Sequence, residues 1–166
     1  FPHVYRPGEQ IATVSQSAAA DTGLPSGTPI IAGASDGMAS FLASGACAPG
    51  DWNLTIGTTI AIRGVSPDVV RDPEGRIYCH RHPEGYWLPG GASNVGGECL
   101  LKIFGQEQVT SLDAQAESAI PTNLIIYPLV RRGERMPFVS ATIEGFTLGT
   151  PQSETERFAG YLEGIA

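Results

Sequence analysis

The sequence predicts a mixed fold of helices and strands, in the α/β or α+β class. Several short apolar runs bounded by glycine or proline predict strands. Most of the segments whose apolar residues have helical spacing follow them in the chain. The chain has 166 residues, of which 42% are hydrophobic and 16% are charged, so it can bury the core of one ordinary domain. Its 21 glycines and 13 prolines predict many tight turns.

The first third of the chain predicts two strands that alternate with two helices. A short strand over 11–14 precedes a helix over 15–22, which Gly23 ends. The apolar run 29–33 predicts a buried strand, and a helix over 36–47 follows it directly. A carboxylate at Asp36 therefore stands at a corner between a strand and a helix.

The rest of the chain predicts two hairpins and then helices with a further strand. The first hairpin joins strands over 52–56 and 59–64, and the second joins strands over 76–80 and 86–88. The later elements are a glycine-rich turn over 90–94, helices over 95–104 and 111–118, a strand over 124–127, a charged loop over 131–137 and a helix over 153–165.

Charge and cysteine content restrict the function. The net charge is −7 and the isoelectric point is near 4.8, so nucleic acid is not expected as a partner, because it binds basic faces. A nucleotide remains compatible, since a few backbone N–H groups can hold phosphate. No apolar run is long enough to cross a membrane, so no membrane partner is expected.

The ends and the thiols suggest a cytoplasmic piece of a longer protein. The chain begins without Met and without a secretion signal, and its last residues lie inside a helical pattern. The three widely spaced cysteines favour reduced thiols and a cytoplasmic location. The oligomeric state stays open, with a homodimer as one option.

Asp36 has two interpretations. It lies in Gly33-Ala34-Ser35-Asp36-Gly37, and aspartate at the start of a helix is often simply the N-cap. Alternatively, the positive end of the helix stabilises the carboxylate, and the flanking glycines let a ligand approach. An ionised carboxylate there can accept the proton of an attacking hydroxyl, as in phosphoryl transfer.

Gly57, Thr58 and Thr59 also have two interpretations. The structural interpretation is a hairpin turn, in which glycine supplies a positive φ and threonine favours the strands on either side. The functional one is a phosphate-binding turn, with close approach at Gly57 and hydroxyl donors at the threonines. It is not a Walker A loop, because no Gly-Lys-Ser/Thr follows.

Three further motifs carry weaker predictions. Gly90-Gly91-Ala92-Ser93-Asn94 can serve helix packing or admit a nucleotide. The arginines within 131–135 form an exposed loop by default, although they can also hold a domain interface or a phosphate. Cys79-His80-Arg81-His82 alternates between the two faces of a strand and has no second ligand cluster, so no metal site is predicted.

Taken together, the order and spacing of these motifs resemble the FGGY family of carbohydrate kinases, and most closely its xylulose-kinase-like or D-ribulose kinase subgroup. The matching segments cover nearly the whole chain. They are Gly-Leu-Pro-Ser-Gly-Thr-Pro at 23–29, Gly-Ala-Ser-Asp-Gly at 33–37, Ala-Pro-Gly-Asp at 48–51, Ile-Gly-Thr-Thr at 56–59, Trp-Leu-Pro-Gly-Gly-Ala-Ser-Asn at 87–94, Tyr-Pro-Leu at 127–129, Gly-Glu-Arg-Met-Pro at 133–137 and Leu-Glu-Gly-Ile-Ala at 162–166.

The resemblance implies a fold and a set of roles. The fold would be the actin-like, ribonuclease-H-like fold, with residues 1–53 ending the sugar-binding domain and residues 54–166 beginning the nucleotide-binding domain. Asp36 would be the catalytic base, and ATP would arrive with Mg²⁺. Gly57, Thr58 and Thr59 would lie at the ATP phosphates, with Gly91 and Ala92 near the nucleotide.

The expected reaction is the transfer of the γ-phosphoryl group of ATP to a hydroxyl of a ketopentose of the D-ribulose or D-xylulose type. This piece alone is not expected to be active, because the resemblance places other parts of both domains outside it. Two alternatives stay open: an actin-like ATP-binding module, and a sugar-sensing regulator without turnover.

Overall fold

The computed structural model describes residues 2–166, and it shows the mixed α/β fold that the sequence predicts. Eight strands and four helices lie within these residues. The strands are β1 (Gln10–Thr13), β2 (Pro29–Ile31), β3 (Trp52–Ile56), β4 (Ile60–Gly64), β5 (Tyr78–Arg81), β6 (Trp87–Ala92), β7 (Ile125–Tyr127) and β8 (Phe146–Leu148). The helices are α1 (Gln16–Thr22), α2 (Asp36–Ala43), α3 (Glu98–Ala116) and α4 (Glu154–Ile165), and a 3-10 turn over Glu117–Ala119 follows α3.

A four-stranded antiparallel sheet forms the centre of the molecule. Its strand order is β3-β4-β6-β5, and the strands β1-β2 and β7-β8 form two separate antiparallel pairs. In the central sheet, Leu54 pairs with Ile62 and Ile62 pairs with Gly91, which fixes the faces to which the side chains point. The predicted domain division between residues 53 and 54 falls inside β3.

Helix α2 covers one face of the central sheet. Its buried Met38 and Phe41 pack with Val65 and with Leu88, which is fully buried on β6. The apolar residues of α2 recur at helical spacing, so one stripe of the helix can face the sheet. The packing places the first turn of α2, with Asp36, at the edge of this face.

Helices α3 and α4 form a second core. Phe104 meets the fully buried Phe158 edge to face, with ring centroids 5.2 Å apart. Helix α3 is kinked at Gly105, which has φ 74° and ψ 158°. The predicted division into helices over 95–104 and 111–118 therefore has a physical counterpart, but the break lies at Gly105 and the first segment begins at Glu98.

The structure corrects three expectations about strands. The strand predicted to be buried over 29–33 is exposed, since every residue of β2 is exposed. The predicted glycine-rich turn over 90–94 is wrong, because Gly90, Gly91 and Ala92 belong to β6. A Cβ on Gly90 would lie 2.6 Å from the backbone oxygen of Ile62, so glycine is needed here for close strand contact rather than for turning. Strand β8 was not predicted, because its three residues are exposed and show no alternation.

None of the helices within residues 2–166 combines the length and apolar character of a membrane span.

Candidate functional site

Asp36 begins α2, and its carboxylate is exposed. The N-cap is Ser35, whose backbone oxygen accepts hydrogen bonds from the N–H groups of Met38 and Ala39. The interpretation of Asp36 as a plain N-cap is therefore wrong. Its Oδ1 accepts a hydrogen bond of 2.6 Å from the N–H of Gly37, and negative charge is favourable in the first turn of a helix. The carboxylate is thus oriented and open to a ligand.

A cavity separates α2 from the central sheet beside Asp36. The wall from α2 consists of Gly37, Ser40 and Phe41. The wall from the sheet consists of Asn53, Thr55, Ala61, Ile62, Arg63 and Tyr78. The cavity is therefore bordered by the residue that follows Asp36 and by strands on both sides of the Gly57–Thr59 turn.

Arg63 on β4 connects the sheet to the first turn of α2. Its Nη1 donates a hydrogen bond of 2.8 Å to the backbone oxygen of Gly37. The guanidinium also lies 5.6 Å from the ring centre of Phe41 and 5.8 Å from that of Tyr78, at cation–π distances. Arg63 pairs with Gly90, so no side chain on β6 separates it from Tyr78. Burial, together with the Arg63 charge, lowers the pKa of His80 below its ordinary value.

The Gly57–Thr59 turn lies directly against the beginning of α3. The N–H of Gly97 donates to the backbone oxygen of Gly57 at 2.7 Å, and the N–H of Glu98 donates to that of Thr58 at 3.4 Å. A Cβ on Gly96 would lie 2.5 Å from the Cα of Thr59. The glycines before α3 therefore serve close packing against the turn.

The donors of the turn face away from these contacts. Within residues 2–166, the N–H groups and hydroxyls of Thr58 and Thr59 have no protein acceptor. Thr58 is exposed and Thr59 is half-buried. Backbone N–H groups and hydroxyls are the donors that phosphate oxygens accept, so the turn has the chemistry of a phosphate site.

Gly91 and Ala92 lie one strand away from the turn. Gly91 is buried, and a Cβ there would lie 2.2 Å from the Sδ of Met136. Ala92 pairs with Ala61, which lines the cavity. Packing thus accounts for the glycine at 91, and a nucleotide contact at these two residues stays a prediction.

Asp36 and the Gly57–Thr59 turn make no hydrogen bond to each other within residues 2–166, but each adjoins residues that line the cavity. Thr55 pairs with Ala61, next to the pair Ile56–Ile60 that closes the turn. Both Thr55 and Ala61 line the cavity that Gly37 also lines. The cavity therefore lies between the helix that Asp36 begins and the two strands that the turn joins.

Sequence reasoning missed the burial of Glu134. The loop over 131–137 was expected to be exposed, but only 4% of Glu134 is accessible. Its carboxylate accepts hydrogen bonds from Ser93 Oγ at 2.8 Å, from the N–H of Asn94 at 2.8 Å and from the hydroxyl of Tyr127 at 2.6 Å. The motif Gly133-Glu134-Arg135 was visible in the sequence, but nothing in it shows that the glutamate has partners about forty residues away.

The electrostatics of this cluster follow from its burial. Burial acts to raise the pKa of Glu134. The hydrogen bonds that the carboxylate accepts have the larger, opposite effect, so the pKa lies below its ordinary value. Burial and the neighbouring Glu134 carboxylate raise the pKa of Tyr127. The cluster therefore contains an ionised carboxylate and a neutral phenol, and it joins the loop to the corner between β6 and α3.

The part of the chain that the structure describes contains no group of three His, Cys, Asp or Glu side chains able to hold a metal ion. Mg²⁺ commonly binds through one or two carboxylates together with substrate phosphates, and the donor set of Asp36 and the Gly57–Thr59 turn is compatible with that arrangement.

Comparison with known proteins identifies similar chains. No family model matches this chain. The gluconokinase of Bacillus licheniformis is 32% identical over 165 residues, which cover 89% of this chain and 32% of that protein. The xylulose kinase structure from Rhodospirillum rubrum has 30% identity and a TM-score of 0.79, over 97% of this chain and 34% of its own. The gluconate kinase structure from Lactobacillus acidophilus has 28% identity and a TM-score of 0.85. The match covers 99% of this chain and 35% of that one.

These similarities define the class of the fold. The chain has the fold of about one third of a carbohydrate kinase, so the predicted actin-like, ribonuclease-H-like fold is confirmed over that part. The similar proteins are a gluconokinase, a gluconate kinase and a xylulose kinase, and they support the resemblance to FGGY-type carbohydrate kinases. They do not single out the xylulose-kinase-like subgroup, because the gluconate-named proteins are equally similar.

Proposed function

We propose that the protein containing this chain is an ATP-dependent carbohydrate kinase of the FGGY type. One observation carries the proposal. In a carbohydrate-kinase fold, an exposed carboxylate begins the helix on one wall of a cavity, and a turn with free donors joins two strands of the other wall. A lone carboxylate or a lone turn would fit many proteins. Their combination fits the needs of phosphoryl transfer to an alcohol.

In the proposed reaction, Asp36 accepts the proton of an acceptor hydroxyl, and the hydroxyl oxygen attacks the γ-phosphorus of ATP. The bond from phosphorus to the bridging oxygen breaks, and ADP leaves. The N–H groups and hydroxyls of Thr58 and Thr59 donate to phosphate oxygens, and Gly57 leaves room for their approach. Mg²⁺ would accompany ATP and neutralise phosphate charge. Gly91 and Ala92 remain proposed neighbours of the nucleotide.

The acceptor has two candidates. A ketopentose of the D-ribulose or D-xylulose type is the acceptor that the sequence motifs predict, and the similar xylulose kinase supports it. A sugar acid is the second candidate, because proteins named for gluconate are equally similar. The division into two domains near residue 53, a cytoplasmic location and a homodimer are further parts of the proposal.

Replacement of Asp36 by asparagine in the full-length protein tests the proposed base. We expect sugar-dependent ADP release to fall by about two to four orders of magnitude, because the acceptor loses its general base. ATP affinity should change little, since Asp36 is separate from the turn. The measurements are a coupled assay across ribulose, xylulose, ribitol and gluconate, and ATP titration by calorimetry.

Asp21→Asn is the matched control, because Asp21 is an exposed aspartate on the neighbouring helix α1. Its turnover should equal that of the wild type. Unchanged turnover in Asp36→Asn would remove Asp36 from the mechanism. ATP binding by a wild type that phosphorylates none of the acceptors would favour an ATP-binding module or a sugar-sensing regulator.

A further inference from the structure

Arg63 has hydrogen-bonding capacity that residues 2–166 do not use. No carboxylate lies within 4.0 Å of its guanidinium nitrogens in residues 2–166. Its Nη1 donates to the oxygen of Gly37, whereas its Nε is inaccessible to solvent and has no partner among the described residues. A buried donor is normally paired, because a buried N–H group without a partner loses the hydrogen bond that it makes in water.

The surroundings of Arg63 supply attraction without neutralising its charge. The rings of Phe41 and Tyr78 hold the guanidinium through their faces, and the Gly37 carbonyl is a dipole. The guanidinium therefore has no neutralising carboxylate among residues 2–166, and it lies on the wall of the cavity next to Gly37. Planar guanidinium groups of this kind bind carboxylates with several hydrogen bonds at once.

We propose that Arg63 binds a carboxylate of the acceptor, which makes the acceptor a polyhydroxy acid rather than a neutral ketose. This inference rests on the proposed function, since it assigns the acceptor to the cavity beside Asp36. Arg63 is then the residue that determines specificity for the charged end of the acceptor. A hydroxyl of the same acceptor then faces Asp36, which adjoins Gly37.

The remaining cavity wall fits the hydroxyl groups of such an acid. Ser40 on α2 presents a hydroxyl, and Asn53 on β3 presents an amide. The Oγ1 of Thr55 donates to Asn53 Oδ1 at 3.0 Å, and the amide nitrogen of Asn53 has no acceptor within residues 2–166. A donor from Asn53 and the hydroxyl of Thr55 thus lie on the same wall as the cation, and the hydroxyl of Ser40 lies on the opposite wall.

A purely structural role is the rival interpretation, in which Arg63 only holds the first turn of α2 against the sheet. The two roles differ in what they predict for neutral acceptors. A holding role would impair every acceptor alike, because it acts through the position of Asp36. A carboxylate-binding role would impair only the acid.

The test compares the full-length wild type with Arg63→Gln and Arg63→Lys. In the wild type we expect kcat/KM for D-gluconate to exceed those for D-xylulose and D-ribulose. Arg63→Gln should raise the KM for gluconate roughly 10- to 100-fold, the effect of losing charge-assisted hydrogen bonds, with kcat changed less than about 3-fold. Arg63→Lys keeps the charge and should recover part of the affinity.

Arg81→Gln is the control, because Arg81 lies over the ring of Trp87 on the same sheet and does not line the cavity. Its KM values should match the wild type. Direct titration of gluconate without ATP provides a readout that does not need turnover. Arg63-dependent gluconate binding supports the proposal even if Asp36 proves not to be the base.

Two results would overturn the inference. One is a wild type that phosphorylates a ketopentose and neither binds nor phosphorylates gluconate, an outcome that leaves the proposed kinase function intact. The other is an equal loss for acid and ketose in Arg63→Gln, with a folded variant confirmed by its melting temperature. A wild type that binds no acceptor and shows no sugar-dependent ADP release would refute both proposals.

Discussion

Glu134 shows how one buried carboxylate can join distant parts of the chain. Its partners are Ser93, Asn94 and Tyr127, and its Oε1 also accepts from the N–H of Arg135 at 2.8 Å. Because every partner is a donor, the site requires an acceptor on both oxygens. This requirement makes glutamate hard to replace, although glutamine has almost the same shape.

Glu134→Gln should destabilise the protein by about 1–3 kcal/mol, because the new amide NH₂ faces donors and leaves buried groups unpaired. Urea unfolding followed by circular dichroism measures the change. Glu144→Gln is the matched control, since the side chain of Glu144 is 75% exposed and its nearest cation, on Arg132, is 4.0 Å away. The control should change the free energy of unfolding by less than about 0.5 kcal/mol. An equally small effect for Glu134→Gln would show that the network contributes little to stability.

At the scale of single residues, the sequence predicts features whose cause is local. The position of Asp36 at the start of a helix follows from the neighbouring apolar run and glycines, and the structure places it there. The importance of Arg63 and Glu134 does not follow, because their partners are 26 and about 40 residues away. Only the fold brings Gly37 beside Arg63. The sequence around a charged residue in a strand does not indicate which group its side chain will contact.

At the scale of elements, the kink in α3 depends on Gly105. Its φ of 74° with ψ of 158° lies in a region that residues with side chains rarely adopt, and a Cβ there would meet nothing within 4 Å. The need for glycine is therefore conformational rather than steric. The kink allows the segments on either side of Gly105 to pack separately against α4.

Gly105→Ala should lower the free energy of unfolding by about 1–3 kcal/mol, the usual cost of a side chain in such a backbone conformation. Gly33→Ala is the control, because its Cβ would also meet open space and its φ is not positive. That substitution should be neutral or stabilising by up to about 1 kcal/mol, since it restricts the unfolded chain. Thermal unfolding of both variants decides the matter. Equal stability would mean that α3 straightens without cost.

The helices and strands were predictable where apolar residues recur at regular spacing or where glycine and proline mark the ends of an element. Helix α2 and the hairpin of β3 and β4 correspond to clear patterns of apolar residues around glycine. The glycines of β6 misled the prediction, because Gly90 and Gly91 suggest a turn while close contacts to Ile62 and Met136 place them in a strand. Those contacts are tertiary, and no local pattern encodes them.

At the scale of the whole molecule, titrating groups set the range of pH over which the fold is stable. Hydrogen bonds from donors lower the pKa of Glu134 and of Glu98, in spite of burial, which acts in the opposite direction. Burial raises the pKa of Cys99 to about 11. A carboxyl group whose pKa is lower in the folded than in the unfolded chain stabilises the fold at pH values above its unfolded pKa. This stabilisation is lost as the pH falls through the pKa of the folded state. A raised thiol pKa stabilises the fold below the unfolded pKa and loses this effect as the pH rises through about 11.

We therefore expect a stability plateau between about pH 5 and pH 8 with declines on both sides. Melting temperatures from pH 2 to pH 11 would show it. Glu134→Gln should flatten the acid side, and Cys99→Ala should flatten the alkaline side. Alanine at Cys99 removes the thiol from a fully buried position, so its melting temperatures should be compared in slope rather than in absolute value. Slopes unchanged by both substitutions would assign the pH dependence to other groups.

The contact between the Gly57–Thr59 turn and α3 has an electronic consequence. The Gly57 oxygen, which accepts from Gly97 at 2.7 Å, belongs to the same peptide group as the free N–H of Thr58. The Thr58 oxygen, which accepts from Glu98 at a longer 3.4 Å, likewise shares its peptide group with the N–H of Thr59. Hydrogen bonds in series polarise and so strengthen one another, by about 10–30% per bond. The N-terminal N–H groups of α3 therefore polarise two peptide groups of the turn. This polarisation strengthens the N–H groups of Thr58 and Thr59 as hydrogen-bond donors, although neither belongs to the helix.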